Sequence, residues 1–331
     1  MTIRIGTRAS NLAMWQATAV CNALAQHGID AELVPLTSSG DRSLGGQLSA
    51  SVGQFIHAID DRLLTGEVDI AVHSGKDVPV DVDERIQNLA YLERGGTADL
   101  VIMRTTPGVP SLEAVLDDPS TTPLASILQR FPDGATFGTV SGRRQSFLLS
   151  QRPDLIPLAV RGHVETRIGR LMEGRVDAVI LAEIGVNRLN SVGALDDVKD
   201  QLSAFRIDPA DWPTAPGQGA IAVHCTKARF EEFQPLRSVL NHEQSEHDVG
   251  AERHLLKQVG GGVYSRRVSV YRGMTFMSKW HPKTGGPSFV KAPPTPCSST
   301  PVSVRASRSL SRSNRLSSRQ CKERVLDICR R

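Results

Sequence analysis

The stretch LLTGEVDIAVHSGKDVP, residues 63–79, contains a helix end, a glycine stop at Gly66, an apolar strand, and then an adjacent lysine and aspartate closed off by Pro79. Its first twelve residues have a counterpart in LMEGRVDAVILA (171–182), just as GTRASNLAMWQ (6–16) has one in GTVSGRRQSFL (138–148). One pair reads as a strand-to-helix turn rich in hydroxyls, the other as helix, Gly-x-Val-Asp and strand. The same grammar therefore occurs twice. The spacing differs, from Gly6 to Gly66 in one copy and from Gly138 to Gly174 in the other, so the pattern is a duplicated α/β domain and not a solenoid repeat.

The flanking sequence supports this. Ser10 is a natural N-cap for a helix whose Leu12, Trp15, Ala19 and Ala23 fall near helical spacing, and Gly28 is its stop. DAELVPL follows as a strand, and strand alternating with helix argues for a parallel sheet with helices on its faces. ERGGTADL (93–100) and DWPTAPGQGA (211–220) are the expected crossings between the halves. The expected division is domain 1 at 1–93 and 218–238, domain 2 at 97–212, and domain 3 at 239–331 with a helix at 245–259. Two such domains enclose a cleft at the carboxyl ends of their strands.

Charge divides the chain. Residues 264–331 hold 15 Lys+Arg against 2 Asp+Glu, while the first 263 hold 24 against 33. The tail, with 13 serines and 11 arginines, shows no sustained period, and disorder is expected there. Its Arg-Ser character permits non-specific nucleic-acid binding, but aromatics are scarce and none is expected for the body. No apolar run reaches the roughly 18 residues of a membrane span and the N-terminus has no signal-like order, so a cytoplasmic protein is expected. Cys21, Cys225, Cys297, Cys321 and Cys329 form no C-x-x-C and have no histidine at zinc-ligand spacing, so neither a disulfide framework nor a metal is indicated.

The chemistry is expected from charged residues at strand ends and helix starts: Arg8, Ser10, Lys76, Asp77, Ser141, Arg143, Arg144, Arg161, Arg167 and Arg188. Guanidinium groups bind carboxylates bidentately, and helix N-termini add backbone donors. Arg143 and Arg144 opening a helix oppose its dipole and call for an anion. The expected ligand is a small polycarboxylate, with phosphates as the other option. A carboxylate such as Asp77 among these cations stays ionised and can accept a proton or stabilise a developing cation.

GTRAS, TSSGDRS (37–43), GEVDIAVHSGKDVP, GTVSGRRQ, DLIPLAVRGHVETRIGRL, DAVILAEIGVNRL, APGQGAIAV and AERHLLKQVGGG together closely resemble the porphobilinogen deaminase family over residues 3–262. The resemblance implies two similar periplasmic-binding-protein-like α/β domains around a cleft, plus a third small α/β domain that is incomplete or disordered here. It implies a transferase that joins four porphobilinogen units head to tail into hydroxymethylbilane, releasing ammonia, usually as a monomer. Growth takes place on a dipyrromethane cofactor held by a cysteine thioether. By motif, Asp77 handles the reacting charge, and Arg8, Lys76, Arg143, Arg144, Arg161, Arg167 and Arg188 hold substrate carboxylates, with Ser10, Thr139 and Ser141 as hydroxyl donors. Three departures stand out: Val263 occupies the cofactor-cysteine position, ASVG (50–53) replaces a glycine- and lysine-bearing loop, and Gly75 stands where a bulkier residue is usual. The competing class is a non-catalytic oligocarboxylate receptor of the periplasmic type. Asp77 discriminates between them, because a carboxylate does not help a pure anion receptor.

Overall fold

The computed structural model describes residues 2–36, 56 and 58–258, and the backbone of three strands at 268–270, 276–280 and 287–291. Segments 37–43 and 50–53, Val263, Cys297, Cys321 and Cys329 lie outside the described residues.

The first lobe is built on β1 (Ile3–Arg8), α1 (Asn11–Ala25), β2 (Ala31–Leu36), α2 (58–64), β3 (Ile70–Ser74) and β4 (Ile86–Tyr91). The chain then crosses to β5 (Asp99–Arg104), α3 (Leu112–Asp117), α4 (Leu124–Leu128), β6 (Thr136–Gly138), α5 (Gly142–Gln151), β7 (Ile156–Leu158), α6 (Val164–Met172), β8 (Ala178–Ala182), α7 (Glu183–Asn190) and β9 (Leu202–Arg206). It returns as β10 (Ile221–Thr226), α8 (Gln234–Leu240) and α9 (Glu243–Gln258). Thus α9 begins two residues before the start expected from the sequence.

The two sheets have the same plan, with strand orders β2-β1-β3-β10-β4 and β7-β6-β8-β5-β9. The repeated sequence units map onto each other, β1–α1 onto β6–α5 and α2–β3 onto α6–β8. In each sheet four strands run the same way and one runs against them, β10 antiparallel to β3 and β4 and β5 antiparallel to β8 and β9. The parallel sheet expected from the alternation is therefore a mixed one, with a single reversed strand in each lobe. The reason is that β5 and β10 are the strands entered directly from a crossing, with no helix to reverse their direction.

The central strand β8 reads as an unbroken apolar run, and β3 opens on one, IAV, before His73 and Ser74, because both faces are covered. On the first sheet, one face carries Ile70, Val72 and Val223 against α1 and α8, and the other carries Ala71 against Ile59 and Leu63 of α2. Pro35, which donates no ladder hydrogen bond, sits in β2 at the sheet edge, where that costs least. In the basic tail, β11 (Val268–Val270), β12 (Phe276–Trp280) and β13 (Pro287–Lys291) form an antiparallel sheet where the sequence offers no sustained period. Valines and aromatics concentrate in these strands, but in runs too short to be read as a period. No described helix is long and apolar enough to cross a membrane.

The crossings pack backbone on backbone. Gly219 has φ +88°, and a Cβ there would lie 2.5 Å from the Gly95 carbonyl oxygen and 2.9 Å from that of Gly96. Gly219→Ala is therefore expected to destabilise the fold by about 2 kcal/mol or more and lower the melting midpoint by roughly 4–8 °C. Thermal unfolding by circular dichroism checks this; an unchanged midpoint would mean the crossings do not pack this closely.

Candidate active site

The parallel strands of both sheets deliver their candidate residues at one end. Arg8 ends β1, and Ser10 caps α1 by accepting from the Ala13 amide at 3.4 Å. Beyond β3, Gly75, Lys76 and Asp77 form a turn closed by the Asp77 amide donating to the Ser74 carbonyl at 2.9 Å. In the second lobe Thr139 follows β6, and its Oγ1 accepts from the Ser141 amide at 3.2 Å. Ser141 caps α5, its Oγ accepting from the Arg144 amide at 3.4 Å. A capping hydroxyl used as acceptor keeps its own proton to donate to an anion. Arg161 is half-buried in the turn that leads into α6, and Arg167 lies in that helix.

Lys76 and Asp77 of the first lobe come within electrostatic reach of Arg144 and Arg167 of the second. Burial pushes the Lys76 ammonium down to about 8; Asp77 opposes the shift and Arg144 adds to it, followed by smaller effects of Asp99 and Arg167. The Arg167 guanidinium is likewise pushed down to about 10, by burial first and then by Arg144, while Asp77 acts the other way. Its Nε donates to the Gly162 carbonyl at 2.9 Å. Four residues expected at the site are thus brought together across the two lobes.

Arg143 and Arg144 differ from the expectation. The anion that offsets two arginines in a helix's first turn is part of this chain, namely Asp99 at the start of β5. Arg144 grips it bidentately, Nε to Oδ2 at 2.9 Å and NH2 to Oδ1 at 2.7 Å, and its NH1 donates to the Ile180 carbonyl at 2.7 Å. Arg143 donates to the Pro213 carbonyl at 2.6 Å and lies 3.5 Å from Asp99. Trp212 Nε1 and Gln218 Nε2 complete the shell, each at 2.8 Å from the carboxylate. Burial alone would raise the Asp99 carboxyl pKa, but Arg144, Arg143 and the hydrogen bonds outweigh it and hold it well below the usual carboxylate range. The two arginines form a buried, internally paired wall of the cleft.

Arg188 is also committed. Its NH2 donates to the Gly219 carbonyl at 2.9 Å, and its guanidinium lies 5.0 Å from the centre of the Trp15 ring. It ties α7 to α1 and the return crossing; Trp15 Nε1 to Ser191 Oγ at 3.1 Å also joins α1 to the end of α7, and Asn11 Nδ2 to Glu165 Oε1 at 3.0 Å joins α1 to α6. A second latch went unread in the sequence: Arg94 pairs bidentately with Glu252 of α9, at 3.0 Å for both bonds, and Glu252 Oε2 accepts from the Gly217 amide at 2.7 Å. Gly75 fits the same packing, since a Cβ there would meet the Gly217 carbonyl oxygen at 3.0 Å.

Neither described cysteine faces this site. Cys225 is buried in the core of the first lobe, where burial pushes its thiol up to about 11, and Cys21 donates to the Ala31 carbonyl at 3.4 Å, at the far end of β2. A depression of about 460 Å³ lined by Met103, Arg104, Phe131 and Asp177 opens near the opposite strand ends, and no candidate residue lines it.

Comparison with known proteins agrees in sequence. Residues 3–233 match the family model described as porphobilinogen deaminase, dipyromethane cofactor binding domain. The porphobilinogen deaminase of Xanthomonas axonopodis pv. citri (strain 306) is 37% identical over 267 residues, covering 80% of this chain and 79% of that protein. That of Geobacter metallireducens is 38% identical over 264 residues, covering 78% and 74%. Among solved structures, the periplasmic VFT2 domain of Bordetella pertussis BvgS is 13% identical with a TM-score of 0.40, over 76% of this chain and 92% of that one. An arginine transport system periplasmic binding protein from Legionella pneumophila is 11% identical with a TM-score of 0.40, over 78% and 99%. Those scores are too low to bear on the site, whereas the sequence matches cover the cleft-forming lobes: the chain belongs to the porphobilinogen deaminase family.

Proposed function

We propose that this chain carries the condensing site of its family, which joins porphobilinogen units head to tail up to the linear tetrapyrrole hydroxymethylbilane, and that turnover requires restoring the anchor cysteine whose position Val263 takes. The observation that carries the reading is the meeting of Lys76 and Asp77 from one lobe with Arg144 and Arg167 from the other. Lys76, Arg167, Arg161 and Arg8 take the acetate and propionate groups of the substrate, aided by the Ser10, Thr139 and Ser141 hydroxyls. Arg143 and Arg144 act chiefly as fixed positive charge, because Asp99 and the Pro213 and Ile180 carbonyls engage them, while Arg188 is held through one amino group on the Gly219 carbonyl and has a buried Nε without a partner among the described residues.

In each addition the aminomethyl C–N bond breaks, ammonia departs, and a cationic azafulvene-like methylene remains. The free α-carbon of the terminal pyrrole attacks that methylene, forming a C–C bond and then losing its proton. Asp77 is the carboxylate at the turn, placed to accept pyrrole N–H bonds, stabilise the cation and take up the released proton.

When bound, dipyrromethane supplies the acceptor pyrrole that starts the chain. The cationic cleft suits its carboxylates, but the thioether has no counterpart: Cys21 and Cys225 lie away from the cleft, and the position that the family resemblance assigns to the cysteine is Val263. Val263→Cys protein incubated with porphobilinogen is expected to gain the intact mass of a two-pyrrole adduct, and the unaltered chain to gain none. An adduct on the unaltered chain, mapped to another cysteine, would refute the assignment of the anchor.

The Lys76 ammonium gives a pH signature. Its charge is present below about pH 8 and is lost above it. Only the charged form pairs with a carboxylate, so porphobilinogen affinity measured by calorimetry is expected to weaken about tenfold between pH 8 and pH 10. Lys76→Arg is expected to flatten this limb; an unaltered limb in that variant would place the titration elsewhere.

A further inference from the structure

On the face of the first sheet that α2 covers, three side chains converge: Asp60 of α2, His73 of β3 and His224 of β10. All are buried, at 6%, 5% and 2% exposure, and one donor atom from each lies within 4.8 Å of the others. Register produces the meeting. His73 pairs with Ala222 and His224 with Ala71, so both imidazoles point to the same side of the sheet, with ring centroids 5.0 Å apart. His73 Nε2 and Asp60 Oδ1 are 3.1 Å apart.

A hydrogen bond accounts for that last pair, but not for the third member. Nδ1 of His224 is buried with no hydrogen-bond partner among the described residues, and so is Oδ1 of Asn88, its cross-strand partner on β4. Native interiors rarely leave such atoms unmet.

We propose that Asp60, His73 and His224 bind one divalent transition-metal ion, with Zn²⁺ favoured by the donor set, which fastens α2 to the sheet behind the Lys76–Asp77 turn. Two imidazole nitrogens and one carboxylate oxygen form a known protein set for Zn²⁺, with a fourth position for water. Bonds of about 2.0–2.2 Å place neighbouring ligand atoms roughly 3.3–3.5 Å apart, so the 3.1 Å contact of Asp60 with His73 is close to one edge of the polyhedron. The ion would replace the proton shared by that pair. Burial, then His73 and then Arg253 push His224 well below the ordinary histidine value, which favours the neutral ring with the lone pair of one nitrogen available. Arg253 itself is turned to the Val78 and Pro79 carbonyls, 3.0 and 2.5 Å away.

The test uses the full chain, treated with chelator and titrated with Co²⁺ alone. One equivalent is expected to give the visible absorption of a four-coordinate site, to be displaced by Zn²⁺. Zn²⁺ at about a hundredfold over its Kd is expected to raise the melting midpoint by roughly 5–10 °C. His224→Ala is expected to weaken binding by more than the roughly 10–100-fold that loss of an outer-shell partner costs. His224→Cys should keep one equivalent and add a thiolate-to-Co²⁺ charge-transfer band. If His224→Ala lacks native circular dichroism, Asp60→Asn is read in its place. The proposal is overturned if the unaltered chain binds no stoichiometric Co²⁺ or Zn²⁺, or if the variant read binds as tightly as the unaltered chain, which would assign the metal to other ligands such as the tail cysteines.

Discussion

Asp77→Asn, made in the Val263→Cys background, is expected to lower porphobilinogen consumption at least 100-fold while leaving porphobilinogen affinity within about threefold. The amide keeps the size and the hydrogen-bonding reach of the side chain but removes the charge that meets the cationic intermediate. Loss of the Asp77 charge pushes the Lys76 ammonium further down, so both measurements are made in mildly acidic buffer, where Lys76 and Arg167 keep their charge and the substrate carboxylates keep their partners. Consumption rates give one number and calorimetry gives the other. Loss of affinity and rate in equal measure would make Asp77 a binding group only, and an unchanged rate would remove it from the chemistry.

The second large effect concerns Asp99. Asp99→Ala leaves two buried guanidinium groups without their anion and Trp212 without its acceptor, while Gln218 keeps the Thr97 carbonyl. Removing one member of a buried pair costs about 3–5 kcal/mol, a large share of the stability of a domain. Urea unfolding measures it. Because the folded-state pKa of Asp99 is depressed, the stability that its charge contributes is fully present above the unfolded value near 4. It is lost only as the pH falls below that value, so unaltered protein and Asp99→Ala should converge in stability in strong acid. A loss under 1 kcal/mol at neutral pH would show that the arginines find another anion, as the sequence alone had suggested.

That contrast marks where sequence reading succeeds and where it stops. The duplicated lobes were legible because Gly-x-Val-Asp recurs between a helix and a strand that opens on apolar residues, IAV in β3 and AVILA in β8. Lys76, Asp77 and Arg167 were legible as charge at strand ends and helix starts, the places where α/β sheets put ligands. Asp99 was not, because the residues that explain it, Arg144, Trp212 and Gln218, lie 45, 113 and 119 positions away. A single acid ahead of an apolar run, in ADLVIMR, was the available clue. The antiparallel course of β5 and β10 was hidden for a related reason: strand direction depends on how the crossings run, and residue periodicity does not record it. Asp60, His73 and His224 share a face through cross-strand register, which no local spacing rule encodes.

The family's covalent anchor and the cleft's charge are separable properties in this chain. With Val263 at the position that the family resemblance assigns to the cysteine, the thiol is lost and every candidate cation is kept, so ligand binding and turnover are expected to part company here.

The most direct measurement is a crystal structure of the protein with porphobilinogen. The expected density has the pyrrole N–H about 2.7–3.2 Å from the Asp77 carboxylate and the acetate and propionate groups on Lys76 and Arg167. Porphobilinogen seated elsewhere, or in the cleft with its carboxylates turned from those cations and Asp77 out of reach, would contradict the reading.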